Sequence, residues 1–342
     1  MNYTQLLNNL KNNKYKQLYV VKGAQEYLSD QIKQAFVNLI PDEERDMNVS
    51  NFDMEETPIS VAVEDAVSIP FFGEKRLVFI NRPFFLTGSK SKSKVNHNLD
   101  DLLAYLEHPE ESSVVVFFAP YEKLDARKKV TKLLTKQAEV IDISKISESE
   151  IKTLVADKLN ASEMTIDQDA LEKLLELTAG NLTKIMAELP KLMLYNQQSK
   201  VIDVESVTGL VTRSMEQNVF DLVNSVLLRR ANESLDIYHQ LLLENEEPLR
   251  INAVLVQQFR LMIQVNILQK HGYAQGNIAS ALKVHPFRVK LAMQSVRKYH
   301  YDELRDAYLG LIDIERKLKS TSQTPELLFE LFIVEFMKKR SA

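Results

Sequence analysis

The chain has 342 residues, more than one hydrophobic core usually supports, so we expect two or three domains. It contains no cysteine, which excludes disulfides, thiolate zinc sites and cysteine nucleophiles. The net charge of −4 at pH 7 is small, so any contact with nucleic acid must come from a local basic patch. The sequence has neither a signal peptide nor an apolar run of roughly 20 residues, so we expect a cytoplasmic protein without membrane contact.

The first part of the chain alternates apolar strands with helices. A helix after the second strand is predicted to begin with Thr57 as its N-cap and Pro58 at its first helical position. Continuous apolar strands that alternate with helices indicate a parallel sheet covered on both faces. We therefore assign residues 1–142 to an α/β domain. The predicted strands are KQLYVVKG (16–23), MNVSNF (47–52), KRLVFI (75–80), SSVVVFFAP (112–120) and AEVIDI (138–143).

The remainder of the chain is predicted to be helical. After residue 142 the strand pattern stops, and about three helices occupy residues 143–212. Long amphipathic helices, such as VFDLVNSVLLRRANESLDIYHQLLLE, fill residues 213–342. We therefore predict a small helical domain followed by a larger one.

A phosphate-binding loop is the first chemistry to test in an α/β domain of this kind. Such a loop reads G-x-x-x-x-G-K-[ST], because backbone amides cradle the phosphates, the lysine reaches them and the hydroxyl holds Mg²⁺. The segment GAQEYLSD, which begins at Gly23, keeps only the first glycine. The later strand LVFINRP lacks the carboxylates that would hold Mg²⁺. The pattern indicates a nucleotide-binding fold with a degenerate site at Gly23, and an ATPase with an unorthodox loop is the alternative.

Other catalytic patterns are absent from the sequence. The six histidines are scattered and show no metal-ligand spacing, and no G-x-S-x-G motif is present. We therefore predict no catalytic residue, no metal site and no cofactor.

One polar loop carries regularly spaced lysines. In GSKSKSK, Lys90, Lys92 and Lys94 are candidates for contacts with DNA phosphates, although a solvated surface loop is the simpler interpretation. In EKLDARKKV, Asp125 beside Arg127 suggests a charged site, but a helix cap with solvated basic residues is favoured. Neither segment identifies a nucleic-acid partner by itself.

Residues 275–299, QGNIASALKVHPFRVKLAMQSVRKY, resemble a helix-turn-helix. Phe287 and Arg288 would open its recognition helix. The apolar spacing is also that of any helical hairpin, so two helices of a larger bundle are favoured over groove binding. A stand-alone DNA-binding protein that uses this segment remains the second alternative function.

The segment SIPFFGEKRLVFI places Pro70, Phe71, Phe72 and Gly73 directly before a buried strand. The preceding residues 41–65 carry nine acidic residues and only one basic residue, which disfavours DNA on this side of the domain and suits a protein partner. The two rings either pack under the sheet or form a rigid apolar anchor for a partner. The residues alone leave both interpretations open.

An ordered set of segments resembles the delta subunit of the bacterial DNA polymerase III clamp loader. The resemblance runs over essentially the whole chain and is closest to the form found in Gram-positive bacteria. The segments are FFGEKRLVFINRP, LLAYLEHPEESSVVVFFAPYEKLDARKKVTKLL, AGNLTKIMAELPKL and YDELRDAYLGLIDIERKLKSTSQTPELLFELFIVEF.

The resemblance implies an AAA+-like fold, with a RecA-type α/β domain over 1–142, a helical lid over 143–212 and a helical collar over 213–342. It implies a subunit without ATPase activity, which shares a five-subunit ring with delta prime and the gamma or tau ATPase subunits. It also implies that this subunit grips the beta sliding clamp and holds it open for loading onto primed DNA.

In this family a hydrophobic pair at the end of the helix before the GEKRLV strand holds the clamp. The resemblance places that pair at Phe71 and Phe72, on the 58–72 element, with Ile69 and Pro70 beside them. Some members carry Leu-Phe instead of Phe-Phe, and an apolar pocket accepts either pair.

Overall fold

The structure, a computed structural model, describes residues 1–71, 73–88, 94–212 and 215–338. The chain divides into two compact units, Met1–Ile146 and Ser147–Ala342. Each unit has its own core, and each is described below by itself.

The described residues of the first unit form five strands and six helices. The strands are β1 (Leu18–Lys22), β2 (Val49–Asp53), β3 (Arg76–Asn81), β4 (Ser113–Ala119) and β5 (Glu139–Asp142). The helices are α1 (Tyr3–Lys11), α2 (Glu26–Val37), α3 (Arg45–Asn48), α4 (Ile59–Ala66), α5 (Leu99–Glu107) and α6 (Lys129–Gln137). Short 3₁₀ turns occupy Asp42–Glu44 and Phe84–Leu86.

The five strands form one parallel sheet in the order β2-β3-β4-β1-β5. Strand β4 is buried along its whole length, as expected for a strand with neighbours on both sides and helices on both faces. Its register places Val115 opposite Leu18 of β1 and opposite Val78 of β3. Each of the five predicted strands is present.

Alternate side chains of the strands point into two separate layers of helices. Val20, Val78 and Phe117 belong to the core beneath α4, α5 and α6. On the other face, the ring of Tyr19 lies 4.8 Å from the ring of Phe36, which belongs to α2. The predicted parallel sheet covered on both faces is confirmed.

The second unit begins with four helices and two very short strands. The helices are α7 (Glu148–Asn160), α8 (Gln168–Leu177), α9 (Leu182–Tyr195) and α10 (Val204–Leu210), and the strands are β6 (Thr165–Ile166) and β7 (Val201–Ile202). Ser147 and Glu150 form a capping box at the start of α7. The two strands pair in parallel, and the sequence analysis did not predict them.

The rest of the second unit is a bundle of seven helices with one continuous core. These helices are α11 (Met215–Leu227), α12 (Ala231–Leu243), α13 (Pro248–Lys270), α14 (Gln275–Leu282), α15 (Pro286–Val296), α16 (Tyr301–Ser320) and α17 (Pro325–Lys338). Helix α13 packs against α11, α15 and α16.

Helix α13 is long and apolar enough to cross a membrane by length and composition. Its position explains this composition, because ten of its residues are buried in the bundle core. They include Asn252, whose amide donates a hydrogen bond of 3.1 Å to the carbonyl oxygen of Leu311 on α16. A central helix contacts neighbours on several sides, so it is apolar around most of its circumference.

Candidate functional site

The corner between α4 and β3, residues 67–75, carries the predicted clamp-binding residues. The preceding helix starts at Ile59, whose N–H donates to Nδ1 of His97 at 3.1 Å. Nε2 of His97 lies 3.0 Å from the carbonyl oxygen of Met54 and therefore donates to it. The predicted cap at Thr57 was wrong, because Pro58 occupies the cap position and His97 satisfies the first helical amide.

This arrangement requires a neutral imidazole, since Nδ1 must keep its lone pair to accept from Ile59. The His97 ring lies 5.1 Å from the rings of both Phe84 and Phe85. Desolvation by these neighbours lowers the pKa of His97 from its ordinary value. At neutral pH the imidazole therefore holds the start of α4 in place.

An ion pair closes the base of the corner. Asp65, near the end of α4, accepts two hydrogen bonds from the guanidinium of Arg76, the first residue of β3. The exposed fractions of the two side chains are only 18% and 13%. Two planar groups that meet through two hydrogen bonds have a defined geometry, so this pair fixes the distance between the ends of the corner.

Within the corner, Phe71 combines a backbone held by a hydrogen bond with an exposed side chain. The N–H of Phe71 donates to Oδ1 of Asn48 at 2.9 Å, and Asn48 is completely buried at the end of α3. The side chain of Phe71 is nevertheless 65% exposed, and that of Ile69 is 86% exposed. Pro70 is half-buried, and Phe72 lies outside the described residues.

Gly73 has a φ of +72°, a left-handed conformation that favours glycine. A Cβ atom there would also lie 2.1 Å from the carboxylate of Glu44. Thus Gly73 allows the chain to turn back sharply toward β3.

The exposed apolar side chains of the first unit are concentrated in one stretch of sequence. All large apolar side chains that are strongly exposed among its described residues lie between positions 47 and 71. They are Met47, Val61, Val67, Ile69 and Phe71. Clustered exposed apolar groups on an otherwise polar surface are typical of a protein-binding site.

The carboxyl edge of the sheet is the place where a related fold would bind a nucleotide. Gly23 follows β1 with φ of +128°, and its N–H donates to the carbonyl oxygen of Ala119 at 3.0 Å. A Cβ atom on Gly23 would lie 2.4 Å from the backbone nitrogen of Ser144. The glycine is therefore explained by close contact with the segment after β5, and its amide is already used within the sheet.

The cavity at this edge is small and has the wrong groups for phosphate. Its volume is about 190 Å³, below the roughly 300 Å³ at which ligand pockets begin. The first turn of α2 carries Glu26, and Lys33, which lines the cavity, donates to Asn51 at 2.8 Å. An acidic group at a helix N-terminus disfavours a bound phosphate by repulsion.

The end of β3 likewise carries no carboxylate pair. Asn81 is its last residue, and the next residue, Arg82, forms ion pairs with Asp53 and Glu55. Among the described residues, no cluster of three or more histidine or acidic side chains is arranged to hold a metal ion. This edge presents a guanidinium where Mg²⁺-binding carboxylates would be needed.

The other predicted sites are distributed over separate parts of the chain. Lys94 is exposed, whereas Lys90 and Lys92 lie outside the described residues. Asp125 does not cap α6 as predicted, because it accepts hydrogen bonds from the N–H and the guanidinium of its neighbour Arg127. These hydrogen bonds hold the pKa of the Asp125 carboxyl at about 2.

The helix-turn-helix-like segment forms α14 and α15 of the seven-helix bundle. Phe287 is 5% exposed, and Arg288 donates to the side chain of Gln258 on α13. A Cβ atom on Gly180 would lie 3.1 Å from Phe287, so the α8–α9 turn covers this ring. The residues expected to open a recognition helix are therefore engaged in packing.

Comparison with known proteins gives concordant matches. A family model described as DNA polymerase III, delta subunit, matches residues 19–144, and one described as the C-terminal domain of that subunit matches residues 216–336. A model described as a middle domain matches residues 147–208. The DNA polymerase III subunit delta of Bacillus subtilis (strain 168) is 39% identical over 331 residues, which covers 96% of this chain and 95% of that protein.

A more distant relative is described as a probable DNA polymerase III subunit delta of Aquifex aeolicus (strain VF5). It is 24% identical over 271 residues, or 78% of this chain and 76% of its own length. The solved structure of the Bacillus subtilis DNA clamp loader delta protein matches with a TM-score of 0.70 and 38% identity. That match covers 98% of this chain and 100% of the solved chain.

These matches confirm the predicted fold class, an AAA+-like α/β domain followed by helical domains. They also confirm the resemblance on which the sequence analysis relied. The chain belongs to the family of DNA polymerase III delta subunits, which are clamp-loader proteins.

Proposed function

We propose that this chain binds the beta sliding clamp through the corner at residues 67–75 and holds the clamp open for loading onto primed DNA. In this proposal Phe71 and Phe72 enter an apolar pocket of the clamp, flanked by Ile69 and Pro70. The chain works in a five-subunit ring with delta prime and the gamma or tau ATPase subunits, in the cytoplasm. Residues 213–342 serve as the collar that joins the ring, and residues 143–212 serve as the lid.

The observation that carries this proposal is a fixed backbone with an exposed ring. The hydrogen bond from Phe71 to the buried Asn48 holds the main chain, while 65% of the Phe71 side chain faces solvent. Burying a phenylalanine is worth about 1.5–3 kcal/mol, so this exposure is costly without a partner. A rigid aromatic group that enters a pocket is the usual centre of a protein interface.

In the proposed mechanism the chain acts mechanically and hydrolyses no ATP. Close packing at Gly23, an acidic first turn in α2 and Arg82 at the end of β3 support this part of the proposal. The ATPase subunits would uncover the corner when they bind nucleotide. A corner with higher affinity for the open clamp than for the closed clamp would then shift the clamp's equilibrium toward opening.

Titration of a labelled clamp with the full chain tests the proposal. Phe71→Ala should weaken binding by about 30-fold or more, as expected for an interface hot spot of about 2 kcal/mol. The matched control is Leu194→Ala, which removes a side chain that is 73% exposed in the second unit. Unchanged affinity of Phe71→Ala and of a Phe71→Ala/Phe72→Ala double variant, with unchanged circular dichroism, would refute the assignment.

The same preparation separates the two alternative functions. ATP turnover by the isolated chain at the rate of an active AAA+ protein would indicate an ATPase. Sequence-specific DNA binding that is lost in Arg288→Ala would indicate a stand-alone DNA-binding protein. A pull-down of the clamp and the ATPase subunits by the wild-type chain would support the clamp-loader proposal over both.

A further inference from the structure

Helix α6 of the first unit carries a stripe of lysines, defined here as Lys129, Lys132 and Lys136. All three are exposed, and their spacing places them on one side of the helix. The opposite side is buried in the core through Val130 and Leu134. At a rise of about 1.5 Å per residue, the lysine stripe is about 10 Å long.

The lysine stripe has no carboxylate partners in the described part of the chain. The basic residues of α16 differ in this respect, since Arg305 pairs with Asp302 and Lys319 pairs with Glu315. An acidic residue three or four positions away on a helix stabilises a lysine, and α6 contains no acidic residue. Three neighbouring cations without such partners repel each other and are available to an external anion.

The start of α6 is also unfavourable by the usual rules for helices. Lys128 is its N-cap and Lys129 is its first residue, and the first turn contains no acidic side chain. Cations there oppose the helix dipole. Lys128 has a structural partner, the carbonyl oxygen of Phe85 at 2.8 Å, whereas the Lys129 side chain has no ion-pair or hydrogen-bond partner among the described residues. A local arrangement that opposes stability without internal compensation is expected at a functional surface.

The distribution of the other surface groups indicates what kind of partner fits the stripe. The strongly exposed large apolar groups described for this unit lie at positions 47–71, so α6 offers no apolar anchor of the kind that protein interfaces use. The acidic residues of 41–65 lie on or next to α3, β2 and α4, whereas α5 packs against both α4 and α6. Helix α5 itself carries Asp100, Asp101 and Glu107, whereas α6 carries no acidic residue.

We infer that the lysine stripe of α6 binds the phosphate backbone of DNA without reading its sequence. The stripe of about 10 Å spans about three nucleotide steps of one strand, at a rise of about 3.4 Å each, so each of the three cations can reach a separate phosphate. Lysines contact phosphates as point charges and carry no base-specific geometry. This inference rests on the proposed role at primed DNA, but it concerns a surface separate from the clamp-binding corner.

The test compares the wild-type full chain with the triple variant Lys129→Gln/Lys132→Gln/Lys136→Gln. Binding to a fluorescent DNA duplex is measured by anisotropy over a range of salt concentrations. Each phosphate contact contributes about 0.9 to the slope of log affinity against log salt, so the triple variant should lose about 2.7 of that slope. Between about 50 and 200 mM salt, wild-type binding should therefore weaken about 40-fold more than binding of the triple variant.

The matched control removes three exposed lysines elsewhere, Lys14, Lys145 and Lys158, by substitution with glutamine. This control changes the total charge by the same amount as the triple variant. It should keep the wild-type slope, because none of its three lysines lies on the stripe. Equal affinity and slope for the triple variant and the control would overturn the inference, as would preferential binding of the stripe to an acidic protein.

Clamp titration separates this inference from the proposed function. The triple variant should keep wild-type clamp affinity, and Phe71→Ala should keep wild-type DNA binding. If the wild-type chain fails to bind the clamp while the triple variant still shows the smaller salt slope in DNA binding, the proposed function fails and the inference stands. If clamp binding holds and the slope is unchanged in the triple variant, only the inference fails.

Discussion

Replacing Arg76 by glutamine should destabilise the first unit at the base of the corner. Asp65 would keep its charge in a site where its side chain is only 18% exposed, without the guanidinium that now pairs with it. Removing one partner costs about 3–5 kcal/mol for a fully buried pair and about 0–1 kcal/mol for an exposed one. For this partly buried pair we expect about 2 kcal/mol, or about a 30-fold change in the opening equilibrium.

Native-state hydrogen exchange of the β3 amides is a suitable assay because it reports on the first unit alone, whereas global unfolding of a chain with two compact units is not two-state. Arg76→Gln and Asp65→Asn should each accelerate exchange in Leu77–Ile80 by about 30-fold. The double variant has no unpaired charge, so its effect should be smaller than either single effect. Arg250→Gln removes an exposed pair in the second unit and should leave β3 unchanged.

The comparison of the two single variants with the double variant can also contradict this prediction. If the double variant loses as much stability as the sum of the two single variants, the two side chains do not stabilise each other and the corner is fixed by other contacts. If the pair does fix the corner, both single variants should also weaken clamp binding, although neither removes an apolar group. Intact clamp affinity together with faster exchange would refute the link between this pair and presentation of Phe71.

The supports of the corner give two more predictions. Because folding lowers the pKa of His97, stability should fall as the pH drops below about 6.5, and the protection of the β3 amides against hydrogen exchange, corrected for the intrinsic effect of pH, should show a smaller decrease in His97→Gln over the same range. A steeper decrease in the variant would contradict this. Asn48→Ala removes the acceptor for the Phe71 N–H and should lower clamp affinity about tenfold, a loss of about 1.4 kcal/mol measured in the same titration. Unchanged clamp affinity of Asn48→Ala would show that binding does not depend on the hydrogen bond that holds the Phe71 backbone.

The sheet could be predicted from sequence because its signal is local. A central strand such as Ser113–Ala119 is a continuous apolar run between two helices. The centre of a parallel sheet is one of the few places where such a run forms all its backbone hydrogen bonds and buries its side chains on both faces. The missing lysine and hydroxyl after Gly23 are also visible in the sequence. Close contact between Gly23 and Ser144 could not be predicted, since it depends on residues 121 positions apart brought together by strand pairing.

The supports of the corner were missed for the same reason. His97 satisfies the first amide of α4 from 38 residues away, so the sequence pattern assigned the cap to the nearby Thr57. Asn48 is a polar residue that is completely buried, and nothing in its neighbours predicts that its amide holds Phe71. The assignment of a binding role to Phe71 and Phe72 came from family resemblance, because apolar residues beside a strand are indistinguishable by composition from core residues.

The hydrogen bond between Phe71 and Asn48 has a consequence for how the corner can be regulated. A segment whose main chain is already held loses little conformational entropy when it binds, so its affinity is available at once. With the backbone at Phe71 already held, we do not expect folding and unfolding there to act as the switch. If clamp binding is to be turned off between loading cycles, another surface has to cover the corner, and the timing of the cycle then belongs to the neighbouring subunits.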